Sequence, residues 1–251
     1  MYHDIPLAAD ERIDEVNESL SLIQKKNALA FGTDAFLLSA FLRSAPRERG
    51  VEFGCGNGII SLLAAARGRF SHITAIEIQP EMAQLTARNI ALNRLTDRIT
   101  VHQNDARRLT AATLGGEVGA VFANPPYMRV DSGLASPHSA KQTARHETEG
   151  GIAEFTAAAA RCLKYGGLFY TVYRPDRLDS LFAALHVNKL APKRMVFVHD
   201  NPAAPPSMIL LEAKKGAGEG LIVLPPLFLH DSAGDSALSA RAQEIYNNGI
   251  F

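Results

Sequence analysis

Residues 50–68 read GVEFGCGNGIISLLAAARG. The stretch opens on a short apolar run, GVEFGC, of the length of a buried strand. It closes on NGIISLLAAARG, a helical pattern stopped by a glycine. Between the two stand Gly54, Gly56 and Gly58, which allow a tight turn and let a ligand come close to backbone N–H groups. Strand, glycine turn and helix in this order begin a βαβ unit.

The alternation continues downstream. HITAIEI (72–78) is a β-branched strand, and QPEMAQLTARNIALNRL (79–95) is a helix with Pro80 in its first turn. RITVHQ (98–103) and GAVFAN (119–124) are the third and fourth strands. GIAEFTAAAARCLKYGG (151–167) is a helix closed by glycines, LFYTVY (168–173) a fifth strand and PDRLDSLFAALHV (175–187) another helix. RMVFVHD (194–200) and SMILLEA (207–213) are too close for a helical crossover, so they pair antiparallel. The pattern predicts an α/β fold: a doubly wound, mostly parallel seven-stranded sheet with helices on both faces and an antiparallel hairpin at its end. One domain is expected, divided into an N-terminal extension and helix (1–45), a core (46–213) and a C-terminal tail (214–251). The extension's helix lies in NALAFGTDAFLLSAFLRS (27–44), with Thr33 or Asp34 as its cap. The tail, LIVLPPLFLH and ALSARAQEIYNNGIF, has no place in this pattern.

With 251 residues, 47% of them hydrophobic, the chain can fill a core and is not disordered. No apolar run approaches the length of a membrane span, and the acidic start MYHDIPLAADERIDE lacks the apolar region of a secretory signal. Two cysteines, Cys55 and Cys162, make neither a disulfide framework nor a zinc set and suit a reducing cytoplasm. His199 and His230 show no metal-ligand spacing, so no metal is expected. Formal net charge is zero, but residues 1–20 carry six acids and one arginine, which leaves 25 bases against 20 acids in the rest. That mildly basic body permits a nucleic-acid patch without requiring one.

Ligands of such sheets bind beyond the carboxyl ends of the strands, where strand order reverses. Glu77 closes the second strand, about 20 residues after the glycine loop, where an acid accepts hydrogen bonds from ribose hydroxyls. The third strand ends in QNDA, which brings Asn104 and Asp105 to the same rim. The loop spacing is G-x-G-x-G, not the dinucleotide G-x-G-x-x-G, and Glu52 precedes it. A carboxylate there repels a pyrophosphate and suits a cation, such as the amino group of a methionine moiety. The fourth strand delivers NPPY (124–127) to this rim. Pro125 and Pro126 fix two φ angles and give up two backbone donors. The motif resembles the N-P-P-Y of methyltransferases that modify a conjugated nitrogen, which implies that the Asn124 side-chain oxygen and the Pro125 carbonyl take the two hydrogens of an amino nitrogen while Tyr127 offers a face for stacking.

Glycine loop, rim acids and N-P-P-Y together resemble the class I S-adenosylmethionine-dependent methyltransferases, from roughly residue 30 to residue 213. The resemblance implies a Rossmann-like fold and S-adenosyl-L-methionine as cofactor. It lays the glycine loop along the methionine portion, Glu77 on the ribose and Asp105 on the adenine amino group. Thr33, Asp34, Cys55, Asn57, Ile78, Asn104, Ala106 and Asn124 complete the expected cofactor pocket. Methyltransferases with N-P-P-Y act on the amino group of adenine or the side-chain amide of glutamine. IQKKNALAFGTDAFLLSAFL, VEFGCGNGIISLL, ARHETEGGIAEFTAAAARCLKYGG, YRPDRL and LPPLFLH resemble the bacterial tRNA1(Val) adenine-N6 methyltransferase family. That implies tRNA as substrate, at the adenine just 3′ of the anticodon. Only about fifty residues precede the glycine loop, too few for the helical domain of the release-factor glutamine methyltransferases. Glutamine methylation, DNA adenine methylation and a nucleotide-binding oxidoreductase on a similar sheet remain the alternatives. Arg129, Lys141 and Arg145, in the long loop after the motif, are either phosphate contacts or solvated loop residues, and Arg174, after the fifth strand, is either a phosphate contact or a helix cap.

Overall fold

A computed structural model of the chain describes residues 5–26, 32–125 and 151–251. Its central strand, β6 (Val118–Ala123), shows why the strands read as continuous apolar runs. Ala120 and Phe122 point into one core, and Val121 and Ala123 point into another. A strand with helices on both faces has no side to leave polar.

The first core packs α1 (Thr33–Phe41), α2 (Ile59–Ala66) and part of α3 (Pro80–Leu92) on one face of the sheet. The second packs α4 (Ile152–Cys162) and α5 (Leu178–Val187) on the other. Between them run β3 (Ala45–Phe53), β4 (Phe70–Glu77), β5 (Ile99–Gln103), β6, β7 (Leu163–Tyr173), β8 (Leu190–His199) and β9 (Pro206–Lys215). Their order is β8-β9-β7-β6-β3-β4-β5. All neighbours are parallel except β9, which lies antiparallel between β7 and β8. The doubly wound sheet and its antiparallel terminal hairpin are thus as expected. The chain steps outward from β3 to β4 and β5, then returns to build β6 and β7 on the far side of β3. The crevice of this reversal lies between β3 and β6.

Register aligns the strand ends there. Phe53 pairs with both Ile76 and Ala123, and Glu77 pairs with Gln103. The residues that follow each strand therefore emerge on one rim.

Three features depart from the sequence pattern. The acidic start forms an antiparallel hairpin, β1 (Glu11–Asn17) with β2 (Leu20–Lys25). Its inner strand is buried from Leu20 to Gln24 and docks on α3. Next, β7 begins at Leu163, before the two glycines expected to close α4, because Leu163 already pairs with Val118. Finally, the tail joins the fold. β10 (Ile222–Val223) and β11 (Leu227–Phe228) pair with β8 and extend the sheet to nine strands. The last helix, α6 (Ala240–Asn248), packs on α1, with Tyr246 stacked on Phe36 at 4.1 Å. Among the described residues no helix is long and apolar enough to cross a membrane.

Candidate active site

The glycine loop lies along the rim with an unusual backbone. Gly54 and Gly56 have φ of 67° and 56°, and a Cβ on either would meet nothing within 4 Å. The left-handed backbone excludes most other residues, and the space beside it is open. Two side chains of α3 hold the loop from behind. Thr86 Oγ1 donates to the Gly56 carbonyl at 2.6 Å, and Asn89 Nδ2 donates to the Asn57 carbonyl at 2.9 Å. Gly58 starts α2 and leaves room for Thr86, whose Cγ2 would lie 2.8 Å from a Cβ there.

Glu77 ties this loop to the end of β4. One carboxyl oxygen accepts from the Gly56 N–H and the other from the Gln79 N–H, both at 2.9 Å. Beyond it, the Asn104 N–H donates to the Glu77 carbonyl. Asp105 caps a short 3₁₀ turn and accepts from the backbone and the guanidinium of Arg107. Those bonds hold the Asp105 carboxyl below its usual range. Gly54, Gly56, Ile76, Glu77, Ile78, Gln79, Asn104, Asp105, Ala106, Asn124 and Phe155 enclose a cleft of about 230 Å³. Its apolar walls come from Ile78, which is 37% exposed, and from Ala106 and Phe155.

Asn124, at the end of β6, completes the rim. Its Nδ2 donates to Asp34 Oδ2 at 3.0 Å, across from the first turn of α1. Its Oδ1 is buried and has no hydrogen-bond partner among the described residues. An orphaned buried acceptor costs about 1–3 kcal/mol, so such an atom marks a place where a donor is awaited.

The remaining candidates take other positions. Glu52 is 1% exposed and does not line the cleft. One of its oxygens accepts from both the N–H and the hydroxyl of Ser61 in α2. Burial pushes its carboxyl up to about 8, against the Ser61 bonds and with the Glu77 charge adding to the rise. It therefore lies beneath the loop and outside the cleft lining. Cys55 is buried beside Thr86, and burial together with the nearby Glu52 carboxyl pushes its thiol well above the usual range. Thr33 meets the Tyr246 hydroxyl, and Arg174 pairs with Asp176. Pro125 is buried behind Asn124. Pro126, Tyr127, Arg129, Lys141 and Arg145 lie outside the described residues.

Thr86, Asn89, Gln79 and Phe155 were not among the expected site residues. Thr86 and Asn89 had a signal: they are polar side chains on the same helical face as Ala83 and Ile90. Polar groups on a buried face need partners, and here the glycine loop supplies them.

The model of the methyltransferase small domain matches residues 25–187, close to two thirds of the chain. The chain belongs to that family. As a member of the methyltransferase small-domain family it is a methyltransferase, and the oxidoreductase reading of the sheet falls away. A tRNA1(Val) (adenine(37)-N6)-methyltransferase of Bacteroides fragilis is 32% identical over 186 residues, covering 74% of this chain and 77% of that one. One of the same name from Yersinia pestis is 29% identical over 209 residues, 82% of each. Among solved structures, a predicted O-methyltransferase from Agrobacterium tumefaciens superposes with a TM-score of 0.69 at 23% identity, over 87% of this chain and 97% of that one. TYW2 of M. jannaschii, solved in complex with AdoMet, gives 0.56 at 14% identity, over 83% and 87%. Those two likenesses concern the fold alone.

Proposed function

We propose that the chain uses S-adenosylmethionine to methylate the exocyclic N6 of an adenine in the anticodon loop of a tRNA, in the cytoplasm. The relatives that carry this name for their own activity support the substrate. The observation that carries the chemistry is the buried Oδ1 of Asn124 on the rim of the cleft, which has no partner among the described residues.

The cleft suits the cofactor. The open side of Gly54 and Gly56 accepts its methionine portion. The Glu77 carboxylate spends one lone pair of each oxygen on the protein. It keeps acceptor capacity for two ribose hydroxyls. Ile78, Ala106 and Phe155 form a slot for a flat apolar ring, with Asp105 at its edge for an amino group. When bound, the cofactor supplies an activated methyl group on sulfur.

The protein's own task is the acceptor nitrogen. The lone pair of an adenine amino group is delocalised into the ring, which makes it a poor nucleophile. Asn124 Oδ1 and the Pro125 carbonyl accept its two hydrogens and draw the nitrogen toward tetrahedral geometry. Tyr127 stacks on the base. An adenine in a loop is unpaired or weakly stacked, so turning it into the site costs little.

The test is incubation with labelled cofactor and three acceptors: total tRNA from a strain lacking the modification, single- and double-stranded DNA, and a release factor. Label in N6-methyladenosine of one tRNA is expected. Label confined to release-factor glutamine or to DNA would overturn the substrate.

A further inference from the structure

The hydrogen bond between Asp34 and Asn124 points to a role for Asp34 separate from the cofactor. We infer that Asp34 is a positioning residue: it locks the Asn124 carboxamide in the one orientation that presents Oδ1 to the acceptor nitrogen. The inference rests on the role proposed above for Asn124.

A carboxamide has nearly the same shape when its oxygen and nitrogen trade places. The two orientations differ wholly in chemistry, since one presents an acceptor and the other a donor. A donor facing the substrate's amino group would repel it. Something must therefore choose between them, and an ionised carboxylate does so without ambiguity because it only accepts. Asp34 Oδ2 takes the Asn124 Nδ2 at 3.0 Å, and the Asn124 Oδ1 is left facing away, buried and without a partner among the described residues.

Asp34 is itself well placed for this. Its other oxygen accepts from the Ala35 N–H at 2.9 Å. It stands in the first turn of α1, where the helix dipole favours a negative charge. The turns that follow are fixed, with every residue from Ala35 to Phe41 buried. Gly32, just before the helix, has an ordinary φ of −76°, so its backbone does not require glycine. A Cβ at that position would run into the Asp34 carboxylate. The missing side chain leaves the carboxylate its room.

The experiment measures kcat at saturating RNA and cofactor, and cofactor affinity by calorimetry, for Asp34→Ala, Gly32→Ala, Asn124→Asp and the double variant Asp34→Asn/Asn124→Asp. Circular dichroism checks that each is folded. Loss of orientation should lower kcat about 10- to 100-fold in Asp34→Ala, with cofactor affinity within about twofold of wild type. Gly32→Ala crowds the carboxylate from outside and should show the same split, which keeps the test open if Asp34→Ala does not fold. Asn124→Asp sets two carboxylates against each other and should be poorly active. Adding Asp34→Asn restores a donor–acceptor pair with an acceptor oxygen still facing the substrate, so the double variant should regain at least tenfold over Asn124→Asp alone. Three results would each overturn the inference: unchanged kcat in the single variants, a fall in cofactor affinity as large as the fall in kcat, or a double variant no better than Asn124→Asp. A wild-type protein that methylates no adenine would instead remove the reading of Asn124 on which the inference stands.

Discussion

Glu52 and Glu77 stand near the ends of neighbouring strands, and both are buried. Glu77 sits at the cleft and accepts two backbone N–H groups. Glu52 sits one layer deeper, where burial pushes its carboxyl up to about 8 and, among the described residues, Ser61 alone donates to it. The consequence is a pH dependence of stability with a definite sign. Below about 4.5 both the folded and the unfolded chain keep this proton. Between there and about 8 the unfolded chain loses it while the folded one holds it, so stability falls as pH rises, by up to about 1.4 kcal/mol per unit. Above about 8 the folded carboxyl also ionises and the slope vanishes. Glu52→Gln keeps the acceptor for Ser61 and has no proton to lose. Thermal melts at pH 5, 6.5 and 8 should show wild type falling relative to Glu52→Gln across that range. Parallel curves for the two proteins would mean that Glu52 is already ionised in the fold.

At the level of elements, Asn89 and Asn93 of α3 do for β2 what a neighbouring strand would do. Asn89 Oδ1 accepts from the Ile23 N–H and its Nδ2 donates to the Ile23 carbonyl, while Asn93 makes the same pair of bonds to Ser21. Asn89 also reaches the Asn57 carbonyl, so one side chain couples the hairpin to the glycine loop. Asn89→Ala strands three backbone groups, two of them buried, and should cost at least about 2 kcal/mol, a melting-point drop of roughly 4–8 °C for a chain of this size. Amide exchange should accelerate at residues 20–25, with a several-fold loss of cofactor affinity alongside it. Unchanged exchange there would deny the coupling. This arrangement also explains what the sequence shows and hides. The βαβ alternation was legible because the central strands are buried on both faces, and the rim residues because register brings the strand ends together. The β1–β2 hairpin was not. Its outer strand is mostly polar, and its inner strand is satisfied by two asparagines some seventy residues away. Asn124 could be placed on the rim from NPPY. Its partner Asp34 could not be found, because the contact spans 90 residues and a helix cap looks the same in sequence.

The whole molecule carries no net charge, and its distribution bears on how it meets RNA. The acids gathered in residues 1–20 leave the remainder with five bases in excess. Part of the acidity is used internally. Glu11 pairs with Arg88 of α3 at 2.7 Å, which holds its carboxyl at about 2, and Asp14 takes Arg12 and Gln24. Several of the arginines are likewise spent inside the fold. Arg43 and Arg194 share the buried Glu212, and Arg69 donates to the carbonyl of Gly249 behind α6. A protein with so small a cationic excess has little net charge with which to displace counterions from RNA. Affinity for the tRNA should therefore fall with salt only gently. Each phosphate neutralised contributes about 0.7–0.9 to the slope of log affinity against log salt, so three to five contacts give a slope of roughly −2 to −4. Selectivity must then come from the base in the site, and tRNA with the target adenine changed should bind nearly as well as the substrate while accepting no methyl group. Filter binding from 50 to 300 mM salt on both RNAs measures each quantity. A slope steeper than about −6 would require a dense basic surface that this charge distribution does not supply, and would shift recognition from the flipped base to the tRNA backbone.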